Sequence, residues 1–390
     1  MIETRTQTSA DSIKSWLTEH KEEYTQKLKQ LVEIESPSTD PNSNHTVFKF
    51  LENEFNQLNY NCQHYLGEKT AGSILARPKD RSKQNDLQLL LGHGDTVWPF
   101  GTLKKMPCKI EDNTMYGPGI FDMKAGLMDI VFALRALKNV NIQPEITPIV
   151  LITSDEETGS TESRRFINLL ARIARRCFVL EPSLGFEAKI KTSRKGVGMF
   201  DITITGVSAH SGLEPEKGAS AIMEMTQVIN QLYQLNDPEK GTTVNVGTIK
   251  GGERANVIAA EAKISVDVRV QHEEECRNVE TLINQLETSD DRFKIHIEGG
   301  IDRPPMIKNE ANTKLWRRAR ELGKTIGLNL SDGLSGGASD GNLTSQHCAT
   351  LDGLGAVGDG AHALHEHITI EETLERAALL ALLIAEPHID

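Results

Sequence analysis

Three apolar runs set the frame of this chain: Leu89-Leu90-Leu91, Ile149-Val150-Leu151-Ile152-Thr153 and Phe178-Val179-Leu180. Each stops at polar residues, respectively Gly92-His93-Gly94-Asp95-Thr96, Ser154-Asp155-Glu156-Glu157 and Glu181-Pro182-Ser183. Short, unbroken apolar runs are the pattern of strands covered on both faces, as in largely parallel sheets. Helical spacing over 124–137 and 166–173 separates them. Strands alternating with helices specify an α/β domain with helices on both faces of the sheet. In such sheets the ligand crevice lies beyond the carboxyl ends of the strands. The histidine and acids at those ends are therefore the first candidates for chemistry.

After Phe186 the rhythm changes. Alternation over 197–205, 243–249, 262–270 and 293–297, with helical spacing over 219–232 and 279–286, gives the order β-α-β-β-α-β of the split βαβ sandwich. Past Arg303-Pro304-Pro305 the α/β character returns, with helices over 315–326 and 374–384. A chain of 390 residues exceeds one ordinary core. The reading is a large domain over 1–187 and 303–390 and a smaller one inserted at 188–302, with hinges near Ala188 and Pro304. At the start, Ile13, Trp16, Leu17, Tyr24, Leu28 and Leu31 predict one long amphipathic helix, and Val47, Phe48, Leu51 and Phe55 a second.

A net charge of −12, spread without an acidic tail, argues against nucleic acid and anionic membranes as partners. No stretch approaches eighteen uncharged apolar residues and the first residues lack an apolar leader core, so the expectation is a cytoplasmic protein. The 5 cysteines are scattered without CxxC spacing and suit reduced thiols.

His93 and Asp95 share a face of an extended backbone. A metal-binding imidazole commonly donates its other N–H to a carboxylate or carbonyl, a place Asp95 can fill. Asp122 follows Gly117-Pro118-Gly119-Ile120-Phe121, and His362 lies in Gly358-Asp359-Gly360-Ala361-His362-Ala363-Leu364-His365-Glu366. His93, Asp122, Glu157, Glu181 and His362 offer imidazoles and carboxylates with no thiolate, a set for one or two divalent ions of borderline hardness. With one carboxylate shared, they can hold two metals about 3.5 to 4 Å apart. Of the adjacent acids, Glu157 is assigned as ligand and Glu156 as the general base that shuttles a proton from water to the leaving amine. Taken singly, each fragment also fits a plain structural part: a hydrogen-bonded strand end, a solvated acidic turn, a surface loop.

In order and spacing these fragments resemble the co-catalytic zinc hydrolases that include carboxypeptidase G (glutamate carboxypeptidase), acetylornithine deacetylase and succinyl-diaminopimelate desuccinylase, over essentially the whole chain. The resemblance implies a three-layer α/β zinc-exopeptidase domain with an inserted α+β, ferredoxin-like lid or dimerisation domain. It implies two zinc ions per chain, with cobalt or manganese as substitutes. Asp122 would bridge them, His93 and Glu181 complete one site, and Glu157 and His362 the other, with Glu156 as general base and Asp95 as partner of His93. Family spacing selects His362 over His365 and His367, and implies a cis Asp122-Met123 peptide. His367 departs from the tyrosine of many relatives. Ser208-Ala209-His210-Ser211-Gly212 resembles the lid segment whose histidine stabilises the oxyanion; Asn256 and Arg269 resemble its substrate-holding residues, and Gly337 of Gly336-Gly337-Ala338-Ser339 the loop that approaches substrate. Pairing of Arg269 with an internal acid is the plain alternative.

The function so implied is zinc-dependent hydrolysis of an amide bond next to a free-carboxylate amino acid, on a small peptide or N-acyl amino acid, by metal-activated water. Trp98 and Phe100-Gly101-Thr102-Leu103 look closer to carboxypeptidase G than to the deacetylase. An N-acyl amino acid deacylase is the alternative, and a non-catalytic metal scaffold a further one. A dinucleotide-binding enzyme is the distant one, because Asp122 stands where GxGxxG needs its third glycine. A homodimer through the lid domain is the expected assembly.

Overall fold

Six strands form the central sheet, in the order Tyr60–Tyr65, Ser73–Pro78, Thr147–Thr153, Leu87–His93, Ala174–Val179 and Ala349–Leu351. The last four run parallel, and the first two pair antiparallel at one edge. The computed structural model describes residues 2–82 and 84–387, without the side chains of 2–6. Strand periodicity explains the layers. Leu90, Val150, Ile152 and Phe178 join the core beneath the helix Ala125–Asn139, while Leu89, Leu91, Ile149, Leu151 and Val179 face the other way, onto Ile167 and Leu170 of the helix Arg164–Ile173. Each such side chain, fully buried, contributes about 1.5–3 kcal/mol. This two-sided burial is why the strands read as continuous apolar runs.

Contacts divide the chain into two units: Met1–Ser193 with Lys308–Leu334 and Ser339–Asp390, and Arg194–Ile307 with Ser335–Ala338. The divisions fall a few residues beyond the expected hinges. The reason is local: the strand Ile190–Arg194 pairs with Asp332–Ser335, and Lys191 exchanges backbone hydrogen bonds with Asp352, so the chain stays with the large unit past Ala188. The second unit runs strand, helix, two strands, helix, strand, in the sheet order Thr243–Gly251, Glu261–Val270, Gly196–Thr205, Lys294–Arg303, all antiparallel. Its own core holds Phe200, Ile202, Ile264, Val266, Met225 and Val228.

The expected first helix is two, Ile2–Glu19 and Lys21–Val32. At the junction His20 leaves helical geometry (φ −102°, ψ 16°), its ring stacks on Trp16 at 4.0 Å, and its Nδ1 bonds the Trp16 carbonyl at 2.8 Å. A side chain competing for a backbone carbonyl is a known helix interrupter. The helix expected over 279–286 begins earlier, at Glu273, where three acids occupy the first turn and favour the positive end of the helix dipole. Four very short strands escape any periodic reading: Lys109–Glu111, Thr114–Tyr116, Gly358–Asp359 and His367–Thr369 form a small antiparallel sheet. By pairing Tyr116 with His367 it brings the segment before Asp122 beside the C-terminal loop of His362.

Candidate metal centre

His93 ends the strand Leu87–His93, Glu156 and Glu157 follow Thr147–Thr153, and Glu181 follows Ala174–Val179, so three adjacent parallel strands deliver them to one end of the sheet. Asp122 arrives in the irregular turn Ile120–Lys124, entered through Gly119, whose φ of +72° and a virtual Cβ at 2.4 Å from the Thr96 side chain admit only glycine without rearrangement. The Asp122-Met123 peptide is cis. His362 adopts a left-handed backbone, φ 61°, in the loop after Gly360.

These groups converge. Asp122 places Oδ1 at 3.2 Å from Nε2 of His93 and Oδ2 at 3.5 Å from Nε2 of His362. Glu181 Oε1 lies 3.6 Å from Nε2 of His93, and Glu157 Oε2 lies 3.2 Å from Nε2 of His362. One carboxylate thus stands between two imidazoles, each with a further carboxylate. His93, Glu156 and Glu181 also hold donor atoms within 4.8 Å of one another, as do His93, Asp122 and Glu157.

The four groups shift one another's protonation. Burial drives Glu157 up, to about 7, with Asp122 adding to it. Burial would raise Asp122 too, but its contacts with His362 and His93 outweigh that and hold it well below the usual carboxylate range. His362, half exposed, is pushed up to about 10 by Asp122 and Glu157. His93 is buried, which alone would lower it; Asp122, Asp95 and Glu181 reverse the direction.

The family described as Peptidase family M20/M25/M40 matches residues 89–386. The chain belongs to this family. Carboxypeptidase G2 of Pseudomonas sp. (strain RS-16) is 29% identical over 373 residues, covering 92% of this chain and 88% of the relative. A succinyl-diaminopimelate desuccinylase 2 of Ruegeria sp. is 29% identical over 72% of this chain and 75% of its own length. Among solved structures, aminopeptidase PepT from Bacillus cereus superposes with a TM-score of 0.77 at 23% identity, covering 94% of this chain and 98% of that one. The M20 metallo-carboxypeptidase Sso-CP2 from Sulfolobus solfataricus gives 0.74 at 16%, covering 93% and 98%. As an M20 protein the chain is a metal-dependent hydrolase of the metallopeptidase and amidohydrolase kind, with the M20 fold.

The residues fit a metal. Two ligand atoms each about 2.1 Å from one tetrahedral ion stand about 3.4 Å apart, and the four imidazole–carboxylate distances here run from 3.2 to 3.6 Å. Among the described residues Glu157 Oε1 is buried with no hydrogen-bond partner, a costly state that a cation would relieve.

Asp95 meets Nδ1 of His93 through both its carbonyl and its carboxylate. Nδ1 of His93 bonds the backbone carbonyl of Asp95 at 2.9 Å, with the carboxylate at 3.4 Å. That carboxylate also accepts the backbone N–H groups of Glu156 (3.4 Å) and Glu157 (3.3 Å) and the Ser38 hydroxyl (2.7 Å). It thereby ties the imidazole to the acidic turn. Two further groups had no role assigned from the sequence, although Glu366 ends the Gly358–Glu366 fragment that carries the resemblance. Lys191, buried, brings Nζ to 3.9 Å from Glu181, and Glu366, buried, binds the Asp122 turn. Their roles rest on contacts between distant segments.

His210, Asn256, Arg269 and Gly337 belong to the second unit. His210 Nδ1 accepts the N–H groups of Gly212 and Leu213, both at 3.2 Å, which puts the ring proton on Nε2. Ser211 N–H donates to the Asn256 carbonyl, so the two loops lie side by side. The Gly337 carbonyl accepts from Arg194 at 3.0 Å. Arg269 is partly exposed, and its guanidinium grips an internal acid, Asp267, by Nε (2.8 Å) and Nη2 (2.8 Å). The two are alternate residues of one strand, hence on one face.

Proposed function

We propose that this M20 hydrolase cleaves the amide bond next to an amino acid with a free carboxylate, as a glutamate carboxypeptidase-like enzyme carrying two zinc ions per chain. The observation that carries the reading is the Asp122 carboxylate, one oxygen toward His93 and the other toward His362. The near whole-length likeness to carboxypeptidase G2 supports the substrate class. His93 and Glu181 would hold one ion, Glu157 and His362 the other, and Asp122 both. When bound, the ions supply Lewis-acid activation of water and of the amide carbonyl. The donor set has imidazole and carboxylate and no thiolate, which suits zinc and admits cobalt or manganese.

Glu156 is the base in this reading. It takes a proton from the attacking water as the oxygen–carbon bond forms and delivers it to the nitrogen as the carbon–nitrogen bond breaks. The Asp95 carboxylate holds the Glu156-Glu157 backbone during that exchange. His210, with its proton on Nε2, is the donor to the oxyanion. Asn256 and the backbone at Gly337 hold substrate, and Arg269 takes the carboxylate by exchanging its Asp267 partner.

An edge strand, Thr243–Gly251, with exposed Ile249, and exposed Met223 on the adjacent helix support a homodimer through the second unit. Cysteines that are all free support a reducing, cytoplasmic setting. Among the described residues no helix is long and apolar enough to cross a membrane.

The test is a panel of N-acyl amino acids and dipeptides, each as free acid and C-terminal amide, with metal-reconstituted protein. Free acids should be cleaved and amides should be poor. Equal cleavage would overturn the carboxypeptidase reading.

A further inference from the structure

Glu366 is fully buried, four residues after His362, and among the described residues its side chain accepts from four N–H donors. Oε1 accepts from the backbone of Phe121 at 2.9 Å and of Asp122 itself at 3.1 Å. Oε2 accepts from the indole of Trp98 at 2.7 Å and the backbone of Gly119 at 2.9 Å. Two donors on each oxygen is the arrangement of an ionised carboxylate, and such bonds are roughly twice as strong as neutral ones. The Glu366 backbone carbonyl also accepts from Gly117 at 3.3 Å.

These bonds join three segments that are distant in sequence. Trp98 follows His93 and Asp95, Gly119 to Asp122 form the turn that presents the shared carboxylate, and Glu366 closes the loop that presents His362. Packing alone does not specify the orientation of a short irregular turn like Ile120–Lys124, whereas three backbone bonds to one anion do. The isolated residue Glu366 therefore has a use that burial of a carboxylate otherwise lacks, since an unpaired buried charge is expensive.

We propose that Glu366 is a positioning residue for the metal centre: its carboxylate clamps the Gly119–Asp122 turn so that Asp122 faces both metal positions at once. This rests on the reading of Asp122 as the shared ligand. Substituting glutamine is discriminating here, because either orientation of the amide turns an NH2 donor onto two N–H groups.

The experiment is competitive-chelator titration of both metals, with cobalt absorption spectra and kinetics, on wild type, Glu366→Gln, Trp98→Phe and Asp122→Ala. Loss of a supporting hydrogen bond to a metal ligand typically costs 10–100-fold in affinity. Glu366→Gln should weaken both ions by about that factor, alter the cobalt spectrum, and lower kcat with little change in KM. Trp98→Phe, which removes one donor and leaves the three backbone bonds, should show the same changes at smaller size and covers the case in which Glu366→Gln fails to fold. Glu366→Gln with wild-type affinities and spectrum but a lower Tm would make Glu366 merely structural and overturn the proposal. Weakening of one ion alone would place its action on the His362 loop and overturn it likewise. Asp122→Ala separates the premises: if it keeps both metals, the shared-ligand reading fails, and if it loses them while Glu366→Gln does not, only the clamp fails.

Discussion

Glu156 and Glu157 are neighbours with opposite tasks in the proposed reaction, and the difference is environmental. Glu157 Oε2 faces His362 at 3.2 Å and Glu157 is pushed up by burial, to about 7. Glu156 shares its backbone anchor on Asp95 with Glu157 while its donor atom lies among His93 and Glu181. Glu156→Gln keeps the volume and removes the basic oxygen, so the variant should fold, keep its metals and lose at least roughly a hundredfold in kcat, the scale of general acid–base catalysis. Metal analysis and steady-state kinetics check this; loss of metal would instead make Glu156 a ligand. At this scale the sequence exposes His93, Glu157 and Glu181 because they terminate apolar strands. It gives no role for Glu366 or Lys191, whose partners are N–H groups or a residue on another element, and it leaves the second contacts of Asp95 and the partner of Arg269 open. In space Asp95 adds the Glu156-Glu157 backbone to its contact with His93, and Arg269 holds Asp267, two residues before it on the same strand.

Elements were legible where they are long and periodic. The helix Ala125–Asn139 and the strand Glu261–Val270 follow from their apolar spacing, whereas the three-residue strands around Tyr116 and His367 carry no period to read. Another element of that hidden kind is the short helical turn Thr102–Lys104, entered through Gly101. Glu35 supports it by accepting the N–H groups of Gly101 (2.9 Å) and Leu103 (3.0 Å). Partial burial would raise the Glu35 carboxyl, but the donors from Leu103, Gly101 and Thr102 outweigh it and hold it below the ordinary 4.5. A carboxyl lowered on folding stabilises above its unfolded value, and that contribution is lost as pH falls through the folded value. Glu35→Gln should therefore lower Tm at pH 7, with the gap to wild type closing as pH is taken below about 4.5. Thermal melts across that range decide it; a gap that widens toward acid would contradict the assignment.

Two units with separate cores make the molecule as a whole a two-part thermodynamic object. The apolar residues from Phe200 to Leu286 form one core within Arg194–Ile307, and those around the central sheet form the others, so each unit meets the requirement for its own cooperative unfolding step. His93, Asp122, Glu156, Glu157, Glu181 and His362 all lie in the first unit, whose segments run from Met1 to Ser193 and from Ser339 to Asp390. A ligand that binds only the folded state adds RT ln(1 + [L]/Kd), about 4 kcal/mol at a thousandfold excess over Kd. For a domain of this size each kcal/mol moves Tm by about 2–4 °C, so chelation should lower the first unit's transition by roughly 8–16 °C. The second unit owns none of the proposed ligands, and its transition should stay where it is. Calorimetry of the holo and chelated protein, with the residue 194–307 transition assigned by hydrogen exchange, measures both shifts. Equal displacement of the two transitions would mean that metal acts on the whole molecule through contacts beyond the centre built on Asp122, while an unmoved first transition would remove metal from that centre altogether.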